Sequence, residues 1–314
     1  MKKTVKPTKI VKPSKAAKLA KTEKPIVAAK ASKAKKVPPK TPAEMESFLH
    51  MMSQMKVYDL TQRLSIHTPP WPSYMPLGIQ YFKRIAGAHQ GQGANGQIIT
   101  TSNHVGTHID GEIHFHASGR SIGDVPIQEW IGQGVVVDLS DAVGDYDLYS
   151  PEMLMERADI RQGDILIINT GYHRYAWDQP ESDEVRYFVK HPGPSPEFHE
   201  WALKMKIKWI GVDCGSADHP MNTIIRNWHP ARFLEAEAKL QKTYGKKWDE
   251  MFPPETFYQV MHLKLFPKKL VHAENIGGEI AKLSNKRCWI GLFPLRGIEL
   301  ESSMCRVVAF EPAK

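Results

Sequence analysis

The sequence predicts an α/β fold in which a mixed sheet carries helices packed against it. Two observations predict it. Short runs rich in β-branched residues recur along the chain, and segments with helix-start chemistry lie between them. In chain order, residues 41–56 read as a helical lead-in with Thr41 as N-cap and Pro42 at the first helical position. Val57–Leu60 follows as a strand. Gly134–Leu139, Asp164–Asn169 and Lys208–Asp213 are short and apolar enough to be buried strands. Ser150 and Pro151 open a helix running to about Arg157, and Ser195 and Pro196 repeat the device. After them Phe198, Trp201, Ala202 and Met205 share one helical face. Pro230–Tyr244 reads as a helix, and Pro254 with Glu255 opens another that carries Tyr258, Val260 and His262. Lys269–Ala273 and Met304–Phe310 close the series as strands.

Composition divides the chain. Residues 1–40 hold fourteen Lys and one Glu, a net charge of +13, while the whole chain carries +8. Residues 41–314 therefore carry 8 − 13 = −5. The Lys/Ala/Pro-rich tail lacks the large apolar residues needed to offset ordering entropy, so it is expected to be disordered. Weak, salt-dependent polyanion binding is the one partner such a tail suggests. It has no continuous apolar run of the secretory kind. The remaining roughly 270 residues suffice for one domain with a sizeable core. Cys214, Cys288 and Cys305 form no Cys-X-X-Cys, which argues against a disulfide framework and favours the cytoplasm. No apolar run approaches the ~20 residues of a membrane span.

The chemistry concentrates in His104-Val-Gly-Thr-His108-Ile-Asp110-Gly-Glu-Ile-His114-Phe-His116, where four of the chain's 14 histidines fall in thirteen residues. Imidazoles with a carboxylate suit a borderline divalent ion such as Zn or Mn. Three protein ligands leave room for water and substrate, as catalytic sites do. Such an ion brings the pKa of water toward neutrality, which points to a metal-dependent hydrolase. β-branched Val105, Thr107 and Ile109 with Gly106 argue against a helix here. In an extended segment His104, His108, Asp110, His114 and His116 share one parity and one face, with Gly106 marking a bulge or a close backbone approach.

The His-X-Gly-Thr-His-X-Asp signature, with His114 four residues later, resembles that of the cyclase family, which includes bacterial kynurenine formamidases and isatin hydrolases. Trp71-Pro72, Gly119-Arg120-Ser121-Ile122 with Val125-Pro126, Gly211–Asp218 and Val271-His-Ala-Glu274-Asn275-Ile276 extend the resemblance over about residues 55–312. It implies a single β/β/α domain, usually oligomeric. It also implies a first metal on His104, His108 and Asp110, and a second on Asp110, His262 and Glu274, with His114 as acid/base. Family members with one metal exist, so the count stays at one or two. Gly111-Glu112 replaces the Ala-Pro common after the motif Asp. Glu112 and His116 then either orient ligands or sit exposed in a loop. Trp71 either stacks on a flat substrate or belongs to the core. Residues 220–262 read as an insertion or lid.

The expected activity is hydrolysis of a small-molecule amide C–N bond, in a lactam or cyclic imide or in an aryl formamide. N-formylkynurenine is one candidate substrate. A nucleic-acid-associated protein or a non-catalytic metal binder is the rival class. The first is weakened by the acidic remainder and the lack of a DNA-binding motif, the second by His114, which a mere binder does not need.

Overall fold

Eight strands make one sheet, and the sheet closes on itself. The computed structural model describes residues 42–87 and 93–313; the Lys-rich tail and the Thr41 cap lie outside the described residues. From Phe48 onward the chain forms one unit. Its strands are β1 (Met55–Asp59), β2 (Gly78–Lys83), β3 (Gly96–Thr100), β4 (His108–Asp110), β5 (Ile131–Asp138), β6 (Leu148–Tyr149), β7 (Ile165–Asn169), β8 (Gly193–Pro194), β9 (Trp209–Val212), β10 (Val271–Glu274), β11 (Lys286–Pro294) and β12 (Ser302–Pro312).

The main sheet runs β1-β12-β11-β5-β7-β9-β10-β4, and β4 also pairs with β12. Seven strands therefore form a closed, barrel-like ring, with β1 appended to the far half of β12. The strands β5, β7, β9 and β10 are mutually parallel, and β4, β11 and β12 join antiparallel. The mixed sheet expected from the sequence is present. Every residue of β7, β9 and β10 is buried, as parallel strands covered on both faces must be. Trp209 is fully buried and its indole N–H donates to Trp130 O at 3.2 Å.

Within the unit from Phe48 onward, later helices cover this ring. Pro42–Ser53 forms the lead-in. In Pro151–Arg157 the Ser150 hydroxyl accepts from Met153 N at 3.3 Å, the cap its sequence predicts. Pro230–Tyr244 is helical and ends at Gly245 in the left-handed conformation. Residues 220–262 form a packed helical block whose Trp248 and Phe252 are buried.

Four local expectations are corrected. Ser195 does not cap a helix; its hydroxyl donates to Glu197 at 2.6 Å and the helix begins at Phe198. The helix from Pro254 stops at Phe257, and a separate turn, Val260–Leu263, carries His262. Gln259 breaks the run at φ 46 because its N–H is drawn to Asn222 O at 2.8 Å. Strand β11 and the β2–β3 hairpin are strands beyond those expected: no residue of the hairpin strands is buried, whereas β11 holds the buried run Ile290-Gly291-Leu292. The one-face reading of His104–His116 also fails: only His108–Asp110 is strand, and Glu112–Phe115 is a helical turn.

Gly106 is not a bulge. It takes φ +62, turning the chain into β4, and its carbonyl accepts from His108 Nδ1 at 2.8 Å. A Cβ there would lie 3.1 Å from Leu64 Cδ1. Gly106→Ala is therefore expected to destabilise the fold by about 1–2 kcal/mol, the cost of a left-handed non-glycine residue. Denaturant unfolding checks this, and an unchanged midpoint would contradict the assigned turn.

Candidate metal centre

The barrel closure positions the site. His108 and Asp110 alternate on β4 and so share a face. On the neighbouring β10, His272 and Glu274 do the same, with Glu274 opposite His108 in the register. These four side chains meet across one ladder. His104 arrives from the turn before β4, and His262 from the short turn after Gln259.

Asp110, 1% exposed, lies at the centre. Its Oδ1 is 3.1 Å from His104 Nδ1 and 3.4 Å from His108 Nε2. Its Oδ2 is 3.5 Å from His262 Nε2 and 3.7 Å from His272 Nδ1. Each oxygen thus faces its own pair of imidazoles. Glu274 stands between them, 3.7 Å from His108 Nε2 and 3.4 Å from His272 Nδ1.

Three of the imidazoles are held from behind. His108 Nδ1 donates to Gly106 O, His262 Nδ1 to Asp218 at 2.6 Å, and His104 Nε2 to Glu301 at 3.0 Å. That fixes the tautomer and turns the remaining nitrogen of each ring toward Asp110, the arrangement ligating histidines use. With the rings in those tautomers, no group among the described residues donates to the buried Asp110 Oδ1. A carboxylate oxygen so placed, facing imidazole lone pairs, fits a divalent ion. Two of the ligand-type groups in this region, His104/His108/Asp110 and Asp110/His262/His272/Glu274, share Asp110.

His114 lies on the Glu112–Phe115 turn. Its Nδ1 donates to Glu301 at 2.7 Å, and its ring centre is 4.5 Å from that of His104. A cleft of about 50 Å³ opens onto the cluster, lined in part by Trp71, Tyr74, His114, Phe115, Gln259 and His262. Tyr74 stacks on His104 at 4.7 Å. Trp71 packs edge-on to Tyr74 and lies 5.9 Å from Trp228 of the helical block. It belongs both to the cleft wall and to the margin of the core.

The structure thus brings His104, His108, Asp110, His114, His262, Glu274 and Trp71 together. Glu112 is elsewhere: buried, it pairs with Arg120 at 2.6 Å. His116 contacts Ser118. Sequence reasoning missed Glu301, Asp218, His272 and Tyr74. His272 was findable, two residues before Glu274 on a strand. Glu301 carried no signal. Its approach depends on Gly111, whose N–H donates to Glu301 O at 2.7 Å and whose Cβ, if it had one, would lie 2.7 Å from that oxygen. Gly111 therefore lets the Glu301 backbone run close beside the end of β4.

Electrostatics follow from burial against pairing. Burial opposes the Asp110 carboxylate, yet His104, His114 and His108 outweigh it and hold its carboxyl well below the usual range. Burial, with the Asp110 charge, pushes Glu274 up to about 7. Burial also disfavours charge on His104 and His262, but their carboxylate partners raise both to about 10. Burial and the His262 charge push His272 well below the ordinary imidazole value.

The family described as Putative cyclase matches residues 58–219, just over half of the chain. The chain belongs to the cyclase family. A kynurenine formamidase of Geobacillus thermodenitrificans is 31% identical over 162 residues, 51% of this chain and 69% of that protein. A kynurenine formamidase of Erythrobacter litoralis is 26% identical over 213 residues, 68% of this chain and 88% of that protein. Among solved structures, an isatin hydrolase bound to the product analogue thioisatinate superposes with TM-score 0.65 at 19% identity, covering 87% of this chain and all of that one. The cyclase fold accounts for the closed mixed sheet, and the family signature lies on β4 and the turns flanking it.

In the ion-free protein His104 and His262 are protonated at neutral pH, and an entering ion must displace those protons. Affinity for a divalent ion should therefore rise as pH increases from about 6 to about 9, because less proton competition remains as the folded-state values near 10 are approached. Calorimetry at pH 7 in buffers of different ionisation enthalpy should show net proton release on loading. Proton-neutral binding would contradict the assigned pairing.

Proposed function

We propose that this protein hydrolyses the C–N bond of a small planar amide whose nitrogen is carried on an aromatic ring, as a lactam or an open-chain formamide. The protein is a metal-dependent hydrolase acting on a non-peptide amide, in keeping with its family and its relatives. N-formylkynurenine and isatin are both N-aryl amides, and they are the substrates that the relatives' names suggest. One observation carries the reading: a buried ring of imidazole nitrogens and carboxylate oxygens lies at the floor of an aromatic cleft, with His114 at its side.

His104, His108 and Asp110 would hold one divalent ion, Zn or Mn, and Asp110, His262 and Glu274 a second. The division of the two Asp110 oxygens between the two sets supports two ions rather than one. When bound, such an ion supplies a water of lowered pKa and polarises the substrate carbonyl.

The chain's own groups do the rest. Trp71, Tyr74 and Phe115 line the cleft with aromatic surface for a flat ring. Asp218 and Glu301 lock His262 and His104 in their ligating tautomers. His114 accepts a proton on the nitrogen turned away from Glu301 and returns it to the leaving amine. Glu301 accepts the His114 Nδ1–H and fixes the ring. Burial opposes ionisation of Glu301, but hydrogen bonds from His104 and His114 outweigh it and keep its carboxyl below the usual carboxylate range.

Residues 220–262 contribute to the wall of the cleft, through Trp228 against Trp71 and through Gln259. Assembly into a homo-oligomer is supported by the outward-facing Phe82 and Ile99 of the β2–β3 hairpin, 67% and 59% exposed. No described helix is long and apolar enough to cross a membrane. The three free, buried thiols accord with a cytoplasmic location. Polyanion binding by the tail concerns residues outside those described.

His114→Gln is expected to lower kcat by about 100- to 10,000-fold, the usual worth of a general acid/base, with metal content unchanged. Initial rates on isatin and N-formylkynurenine test the substrate class. Turnover of either N-aryl amide supports it; no turnover of either by metal-loaded protein, or a fully active His114→Gln, would refute it.

A further inference from the structure

We infer that His272 is a fourth ligand of the inner metal site, joining Asp110, His262 and Glu274 and closing that site to substrate. This rests on the two-ion reading above. His272 is fully buried, and neither ring nitrogen has a hydrogen-bond partner among the described residues. A buried, unsatisfied polar atom costs about 1–3 kcal/mol, so a histidine at this position needs an account. Leucine or valine would fill the same space between Phe266 and His262 at no such cost.

The geometry supplies the account. His272 Nδ1 is 3.4 Å from Glu274 Oε1 and 3.7 Å from Asp110 Oδ2, while His262 Nε2 is 3.5 Å from the same Asp110 oxygen. An ion bound tetrahedrally at about 2.0–2.2 Å sets its ligand atoms roughly 3.3–3.6 Å apart. Two of the observed separations, 3.4 and 3.5 Å, fall in that range and the third, 3.7 Å, lies just beyond it. The strand register enforces them, because His272 and Glu274 point the same way from β10 toward β4. The T-shaped packing of His272 on His262, centres 4.4 Å apart, lets both rings aim one nitrogen at a common point. The other His272 nitrogen, Nε2, is buried without an acceptor, with Phe266 packed 4.8 Å from the ring centre.

The consequence is a division of labour. Two imidazoles and two carboxylates make a four-coordinate, closed site of the kind that holds a resident ion. The His104, His108 and Asp110 set keeps three protein ligands; both sets border the cleft, one through His104 and the other through His262 and Glu274, so coordination number is what separates them. The outer site is then the one open to water and substrate, and the inner ion is retained when the outer one exchanges. A second imidazole in place of an oxygen donor also biases the inner site away from Mg and Ca toward Zn and its neighbours.

The test uses the full chain, stripped with a chelator, reloaded with zinc, and crystallised for anomalous diffraction at the zinc edge. The inference expects inner-site zinc with His272 Nδ1 at about 2.0–2.2 Å. Zinc held by Asp110, His262 and Glu274 with His272 beyond about 3 Å, or zinc confined to the His104 set, would overturn the inference and leave the metal-dependent reading intact. Zinc at neither set would overturn both. In solution, competition titration of His272→Leu should show one of two zinc equivalents weakened by about 100-fold or more, the other unchanged. His104→Ala should weaken the other equivalent. Two equally tight zinc ions in a folded His272→Leu would refute the assignment.

Discussion

Asp110 is a carboxylate buried in the seam of a closed sheet, and most of the site follows from that placement. A buried charge must be compensated or it will neutralise. Here compensation comes from both sides at once, because each oxygen faces a separate pair of imidazoles. Without an ion, protons on His104 and His262 do this work, since their carboxylate partners outweigh burial and favour the charged rings. The same geometry suits two divalent ions sharing one carboxylate. The protonated cluster and the metal centre are two ways of meeting one electrostatic demand.

The closure of the barrel creates that seam. β4 is only three residues long, but it joins β10 on one side and β12 on the other. Its brevity lets the chain bring His104 in before it and His114 after it, from directions a longer strand would forbid. The register with β10 sets Glu274 against His108. The register with β12 sets Ser302 against Asp110, which delivers the adjacent Glu301 carboxylate to His104 and His114. Gly111 permits that last approach by presenting no side chain to the Glu301 backbone.

Around this polar floor the walls are aromatic. Tyr74 lies parallel to the His104 ring, Trp71 meets Tyr74 edge-on, and Trp228 reaches over from the helical block. Such walls present aromatic faces to the cleft. The block that supplies Trp228 is anchored by Trp248, whose indole N–H donates to Asn222 at 2.8 Å. Anchoring at Asn222 also sets the break at Gln259, and so the direction from which His262 enters.

The sequence by itself determined the chemistry and much of the scaffold. The candidate ligands were legible because a metal site needs particular donor types, and His104, His108 and Asp110 are clustered within seven residues. Strands such as Ile165–Asn169 were legible because burial on both faces demands an unbroken apolar run. The Ser150 cap and the helix Pro230–Tyr244 were legible because local chemistry fixes them. The tertiary structure decided what depends on register and closure. The Ser195 cap and the uninterrupted helix to His262 failed because a side chain or a backbone N–H found a better partner outside its own helix. His272 and Glu301 enter the site through strand pairing, and Glu301 lies 197 residues from His104 in sequence. No spacing rule reaches that far. Which oxygen of Asp110 faces which imidazole is likewise a property of the closed sheet.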